Sequence, residues 1–174
     1  MQAILKYQPQ RTHFSAQDFV RQMWQLTPDE PIEFSHDGWD EQLNVDHSWH
    51  VNPFIPDYER LVPNGGFEAL SEVDSRVGVE PFKQPYRLWL ATQYQAEALV
   101  TVRAYVVMVD LLMQQLPGTI SLDLGKTWIS REEFLAPYAT ILTLNRAEIH
   151  RITALQTLSI SHDDEIDPPF PLRW

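Results

Sequence analysis

The stretch Leu99-Val-Thr-Val-Arg-Ala-Tyr-Val-Val-Met-Val-Asp-Leu-Leu-Met-Gln-Gln-Leu-Pro-Gly-Thr-Ile-Ser-Leu-Asp-Leu124 decides the fold. Leu99, Val102, Val106, Val109, Met113 and Leu116 recur at steps of three and four. That spacing keeps them on one side of an α-helix. Tyr105, Met108 and Leu112 widen the stripe, so the helix, running from about Tyr94, is expected to be buried over much of its girth. Val100, Val102, Val106, Val107 and Val109 are β-branched and favour a strand instead. The length of the run and the helix-forming Leu111-Leu-Met-Gln-Gln-Leu decide for helix. Pro117 cannot continue it, and Gly118 permits the left-handed conformation that commonly ends helices. Thr119 to Leu124 alternates apolar and polar with the period of a half-buried strand, and Gly125 closes it as a turn.

So apolar a segment also invites a membrane span. Arg103 and Asp110 argue against one, because a span needs roughly 20 mainly apolar residues and central charges are costly there. In a buried helix both residues need partners, since an unpaired buried charge is expensive. Arg87 and Glu97 are the candidates the sequence offers.

Before this unit, Ala3 to Tyr7 reads as a strand and Ser15 as the N-cap of an amphipathic helix through about residue 26, with Asp18 in its first turn. Thr27-Pro-Asp-Glu-Pro stops the helix. Ile32, Phe34 and then Gln42 to Val51 suggest strands around a turn at His36-Asp37-Gly38. Prolines 53, 56 and 63 with Asn64-Gly65-Gly66 mark an irregular connection, and Phe67 to Ser71 a helical turn. Arg76 to Glu80 and Tyr86 to Thr92 read as strands. After the central unit, Lys126 to Ser130 is a candidate hairpin partner. Ser130-Arg-Glu-Glu is a capping box opening a short helix that ends near Pro137. Tyr138 to Leu144 is then a candidate strand and Asn145 to Leu155 a further helix. Residues 161–174 form an acidic, then proline-rich tail. The order predicts a single α+β domain: a mainly antiparallel sheet, with a long central helix and one or two further helices packed on one face.

Composition narrows the function. With 174 residues and 44% hydrophobic content the chain supports a substantial core. It has no cysteine, which removes disulfides and thiolate chemistry. A net charge of −11 argues against non-specific nucleic-acid binding and against docking on anionic lipid, and favours a basic partner. The first residues carry no secretory signal pattern, so a cytoplasmic location is the expectation.

Residues 22–59 contain nine acids and no Lys or Arg, together with Trp24, Trp39 and Trp49. Carboxylates beside exposed aromatics would suit a basic protein surface, charge steering the encounter and rings anchoring it. The candidate partner-binding set is Glu33, Asp37, Trp39, Asp40, Glu41, Asp46 and Trp49. A solvated acidic face with its tryptophans in the core explains the same composition.

His36-Asp37 and Asp46-His47-Ser48-Trp49-His50 raise a competing reading, a metal-dependent hydrolase. The spacing lacks the helical His pair of metalloproteases, and on a strand His47 and His50 point to opposite faces. Ser48 sits in no nucleophile elbow. Gly125-Lys126-Thr127 matches only the end of a phosphate loop, because Ile120 stands where the first glycine belongs. Asp163, Asp164, Glu165 and Asp167 lack calcium-loop spacing. No cofactor or metal is assigned. A structural or oligomerisation domain is a third reading.

The layout strand, helix, strands, long helix, strand, with Leu111-Leu-Met-Gln-Gln-Leu-Pro-Gly entering Thr119-Ile-Ser-Leu-Asp, resembles small bacterial immunity proteins. These protect a producing cell from contact-delivered or polymorphic toxins. The resemblance spans the first three-quarters or so of the chain; the segment 53–85 and the C-terminal tail depart from it. It implies a role, neutralising a toxin by binding it, and no particular residues; a basic nuclease would suit the charge of the chain.

Overall fold

The computed structural model describes residues 1–8, 14–38, 40, 49–53, 77–82, 84–92 and 99–157. Their order is β1 (Gln2–Tyr7), α1 (Ala16–Trp24), β2 (Phe34–Asp37), β3 (Trp49–Pro53), β4 (Val77–Pro81), β5 (Arg87–Thr92), α2 (Leu99–Gln115), β6 (Gly118–Ser121), α3 (Arg131–Leu135), a 3₁₀ turn (Ala136–Tyr138), α4 (Ala139–Thr143) and α5 (Arg146–Thr157). The strands form one sheet in the order β2-β3-β4-β5-β1-β6, and every neighbouring pair is antiparallel. The fold is α+β, with α2 central. Most of the expected irregular connection through Asn64-Gly65-Gly66, the helical turn at Phe67–Ser71 and the tail at 161–174 lie outside the described residues.

Register explains the core. Leu5 stands opposite Leu88 on one side and Ile120 on the other, Leu90 opposite Ala3 and Val79, and Trp49 opposite Val79. All are buried on a single sheet face. Phe19, Val20, Met23 and Trp24 of α1 join them, as does nearly the whole surface of α2 from Val100 to Met113. A helix buried all round is what so apolar a sequence requires. No helix among the described residues is long and apolar enough to cross a membrane. Strands β5 and β6 flank β1, so α2 carries the chain across β1 from one to the other.

Several local expectations are corrected. Gly118 is a strand residue, not a left-handed helix cap. It pairs with Tyr7, and a Cβ there would lie 2.0 Å from the Lys6 carbonyl oxygen, so close backbone approach is what demands glycine. Strand β6 stops at Ser121, not Leu124. Asp123 collects the Ser121 and Thr127 hydroxyls and the Lys126 and Thr127 amides at 2.6–3.1 Å, winding the chain into a turn that overrides the alternating pattern. Only Ile129 bridges back to Ile120 as a hairpin partner.

The capping box is present in both directions: Glu133 N donates to Ser130 Oγ at 3.2 Å, and Ser130 N to Glu133 Oε2 at 2.8 Å. Tyr138 to Leu144 is helical for the most part rather than a strand, because Pro137 sits in a 3₁₀ turn that leads on into α4. Asn145 and Glu148 then cap α5 reciprocally, at 3.0 and 2.9 Å.

The charges in α2 find partners other than those expected. Arg103, 2% exposed, donates from Nε to the Met23 carbonyl at 2.8 Å and from Nη1 to the Ile141 carbonyl. Its cation thereby meets the negative C-terminal end of α1. Asp110 accepts from Arg131 Nε and from Gln114 Nε2 at 2.9 Å. Arg87 is elsewhere on the sheet, and Glu97 lies outside the described residues.

Candidate functional site

The acidic region is built around strand β2, which pairs with β3 and forms one end of the sheet. Register sorts its side chains. His36 stands opposite Val51, facing the helices, while Asp37 stands opposite His50 on the face that no helix among the described residues covers, here the open face. Gly38, at φ 101°, turns the chain out of the strand.

Asp40 comes back towards the helices. Its Oδ2 accepts from the Ala16 amide, the first helical residue of α1, at 3.1 Å. Its Oδ1 accepts from Trp49 Nε1 at 2.7 Å and lies 3.3 Å from His36 Nε2. The His36 contact lacks hydrogen-bond geometry, so proximity rather than a directed bond joins this pair. One carboxylate therefore supplements the Ser15 cap of α1, satisfies the indole and sits at the positive helix end. Trp49 itself is 0% exposed, edge-on to Phe14 at 4.8 Å and to Phe19 at 6.2 Å. Trp24 is equally buried, against His150.

The candidate partner-binding set is thereby divided. Trp49 is withdrawn from it, because a fully buried ring offers no contact surface. Asp40 serves the interior although its side chain is one-third exposed. Glu33 and Asp37 are exposed, as is the neighbouring Asp29. Among the described residues these three make no side-chain hydrogen bond or ion pair. Trp39, Glu41 and Asp46 lie outside the described residues. Glu30 is another committed acid: it accepts from the Thr27 amide and from Arg146 Nη1, both at 2.7 Å. The Thr27 amide first and Arg146 second hold its carboxyl down at about 2.

The histidines do not converge. His36 is tilted against Trp49 on the helix side, whereas the His50 ring lies on the open face over Gly78, 3.7 Å from Glu80 Oε1. A Cβ at Gly78 would stand 2.4 Å from His50 Cδ2, so the ring fills the space that the glycine leaves. His47 lies outside the described residues. Among the described residues no group of three or more His, Asp or Glu side chains is arranged to hold a metal ion.

A second charged feature escaped the sequence reading. Lys6 stands directly opposite Arg87 on the open face, and both cations sit over the Trp128 ring, Lys6 Nζ at 5.9 Å and Arg87 Cζ at 5.3 Å from its centroid. The alternation of Arg87 and Trp89 with Leu88 and Leu90 was visible in the sequence. The meeting with Lys6 and Trp128 depends on strand pairing. No protein family, curated protein or solved structure matched the chain.

Proposed function

We propose that this chain is a protein-binding module of the immunity type, cytoplasmic and bacterial, which neutralises a cognate toxin by receiving a basic surface on its acidic β2 end. One observation supports this most. Of the five described carboxylates in residues 22–59, Glu30 and Asp40 are committed to backbone amides, an indole and an arginine, whereas Asp29, Glu33 and Asp37 are exposed and uncommitted among the described residues. Clustered unpaired charge of one sign steers and selects a partner of the opposite sign. The same carboxylates would also keep a sheet edge from pairing with another edge, so a binding measurement has to separate the roles.

The test is calorimetric titration of the protein with the basic C-terminal domain of a toxin encoded in the adjacent reading frame. Binding is expected to weaken with salt, and the pair Glu33→Lys with Asp37→Lys to weaken it about tenfold or more. Equal affinity of the double variant removes the β2 end from the interface. No binding by the unaltered protein removes the immunity role.

A further inference from the structure

We infer that Lys6, Arg87 and Trp128 form a receptor for a carboxylate of an acidic peptide segment, which runs over the open sheet face onto Trp89 and Phe82. This inference uses none of the β2 residues and stands independently of the immunity reading.

The placement of charge carries it. The chain has 24 acidic residues against 13 Lys and Arg, yet two cations stand directly opposite each other on neighbouring strands. Like charges in that position repel. Arg21, Arg103, Arg131 and Arg146 all donate to carbonyls or carboxylates of the chain. Among the described residues Arg87 and Lys6 have only the Trp128 ring. An indole orients a guanidinium without using its N–H groups, so the planar donor fork stays available for a carboxylate. Glu80, the carboxylate next along this face, stands opposite Trp89 and lies beside His50 instead.

The neighbouring surface suits the rest of a peptide. Trp89 shares the open face with Arg87, two residues along the strand, and Phe82 stacks on it with ring planes 12° apart and centroids 6.2 Å apart. Both rings are half-buried. A side chain following the carboxylate would rest on them. Polyanionic nucleic acid is disfavoured as the occupant, because two cations neutralise too few phosphates to hold an extended backbone, whereas one carboxylate matches a single guanidinium fork.

The test uses the isotope-labelled full chain and a synthetic peptide of four glutamates followed by phenylalanine. The control peptide replaces the glutamates with glutamines. Expected is a saturable shift of the Trp128 indole and Arg87 Nε resonances with the first peptide and none with the control. Arg87→Gln should weaken binding about tenfold or more, as loss of a charge-assisted bond does. The Trp49 indole resonance, deep in the core, should stay in place and reports that the variant is folded. Three results overturn the inference: no shift at millimolar peptide, an undiminished shift in the folded variant Arg87→Gln, or equal binding of inorganic phosphate. Concentration-dependent self-association abolished by Lys6→Glu would make a second copy the occupant and overturn it as well.

Discussion

The central helix and the β2 end of the sheet both carry charge, and they use it in opposite ways. In α2, Arg103 and Asp110 are buried and every strong bond they make is internal. At β2, Glu33 and Asp37 are exposed and make no such bond among the described residues. Residue type does not separate the two groups; burial does. A charge taken out of water must be compensated by the fold, whereas a charge left in water is available to another molecule. Asp40 lies between these cases, one-third exposed yet bonded to the Ala16 amide and the Trp49 indole.

The largest loss of stability is expected at Arg103. Replacing it by alanine removes a large buried side chain and leaves the Met23 and Ile141 carbonyls without their donor. Arg103→Ala is expected to cost about 3 kcal/mol or more of stability, read as a lower urea midpoint. A loss below about 1 kcal/mol would show that the interior does not depend on this cation.

The layout was legible in the sequence because it rests on local signals. Apolar spacing in 99–116, the Ser15 and Ser130 caps and the alternation of 86–92 each act within a few residues. The failures arose where a distant partner or a side chain prevailed. Leu122 and Leu124 fit a strand pattern until Asp123 gathers the surrounding amides and hydroxyls into a turn. Trp49 sits in an acidic stretch and was expected at an interface, but Phe14, Phe19 and Asp40 enclose it. Composition gives the density of acids in 22–59, and only strand pairing says which of them face water.

A smaller loss is expected at Asp40. Asp40→Ala removes a carboxylate from the start of α1 and orphans a buried indole N–H. The expected loss is about 1–2 kcal/mol, measured by denaturant unfolding, with the near-ultraviolet circular dichroism of Trp49 altered. A change within about 0.5 kcal/mol would return Asp40 to the uncommitted acids.

Glu30 adds a pH dependence. Its folded carboxyl is held at about 2 against an ordinary 4.5, so its contribution to stability is present above pH 4.5 and is lost as pH falls towards 2. Glu30→Gln should therefore lower the melting temperature at pH 6 and narrow the gap from the unaltered protein by pH 3. The exposure of the Glu30–Arg146 pair keeps the effect small. A gap that is unchanged between the two pH values would show that Glu30 is not held by Thr27 and Arg146 in solution.

The smallest effect on stability is expected at the β2 end, and its smallness is informative. Reversing Glu33 and Asp37 to lysine removes no internal hydrogen bond among the described residues, so unfolding should move by no more than about 0.5 kcal/mol. Lower self-repulsion on a chain of net charge −11 could even raise it slightly. Loss of binding to the proposed basic partner with stability retained would locate the carboxylates in recognition alone. A destabilisation comparable to that of Asp40→Ala would mean that Glu33 or Asp37 is bonded within the fold, and the contrast between committed and uncommitted acids would fail at that residue. Each single variant, measured by the same unfolding curve, shows which of the two is responsible.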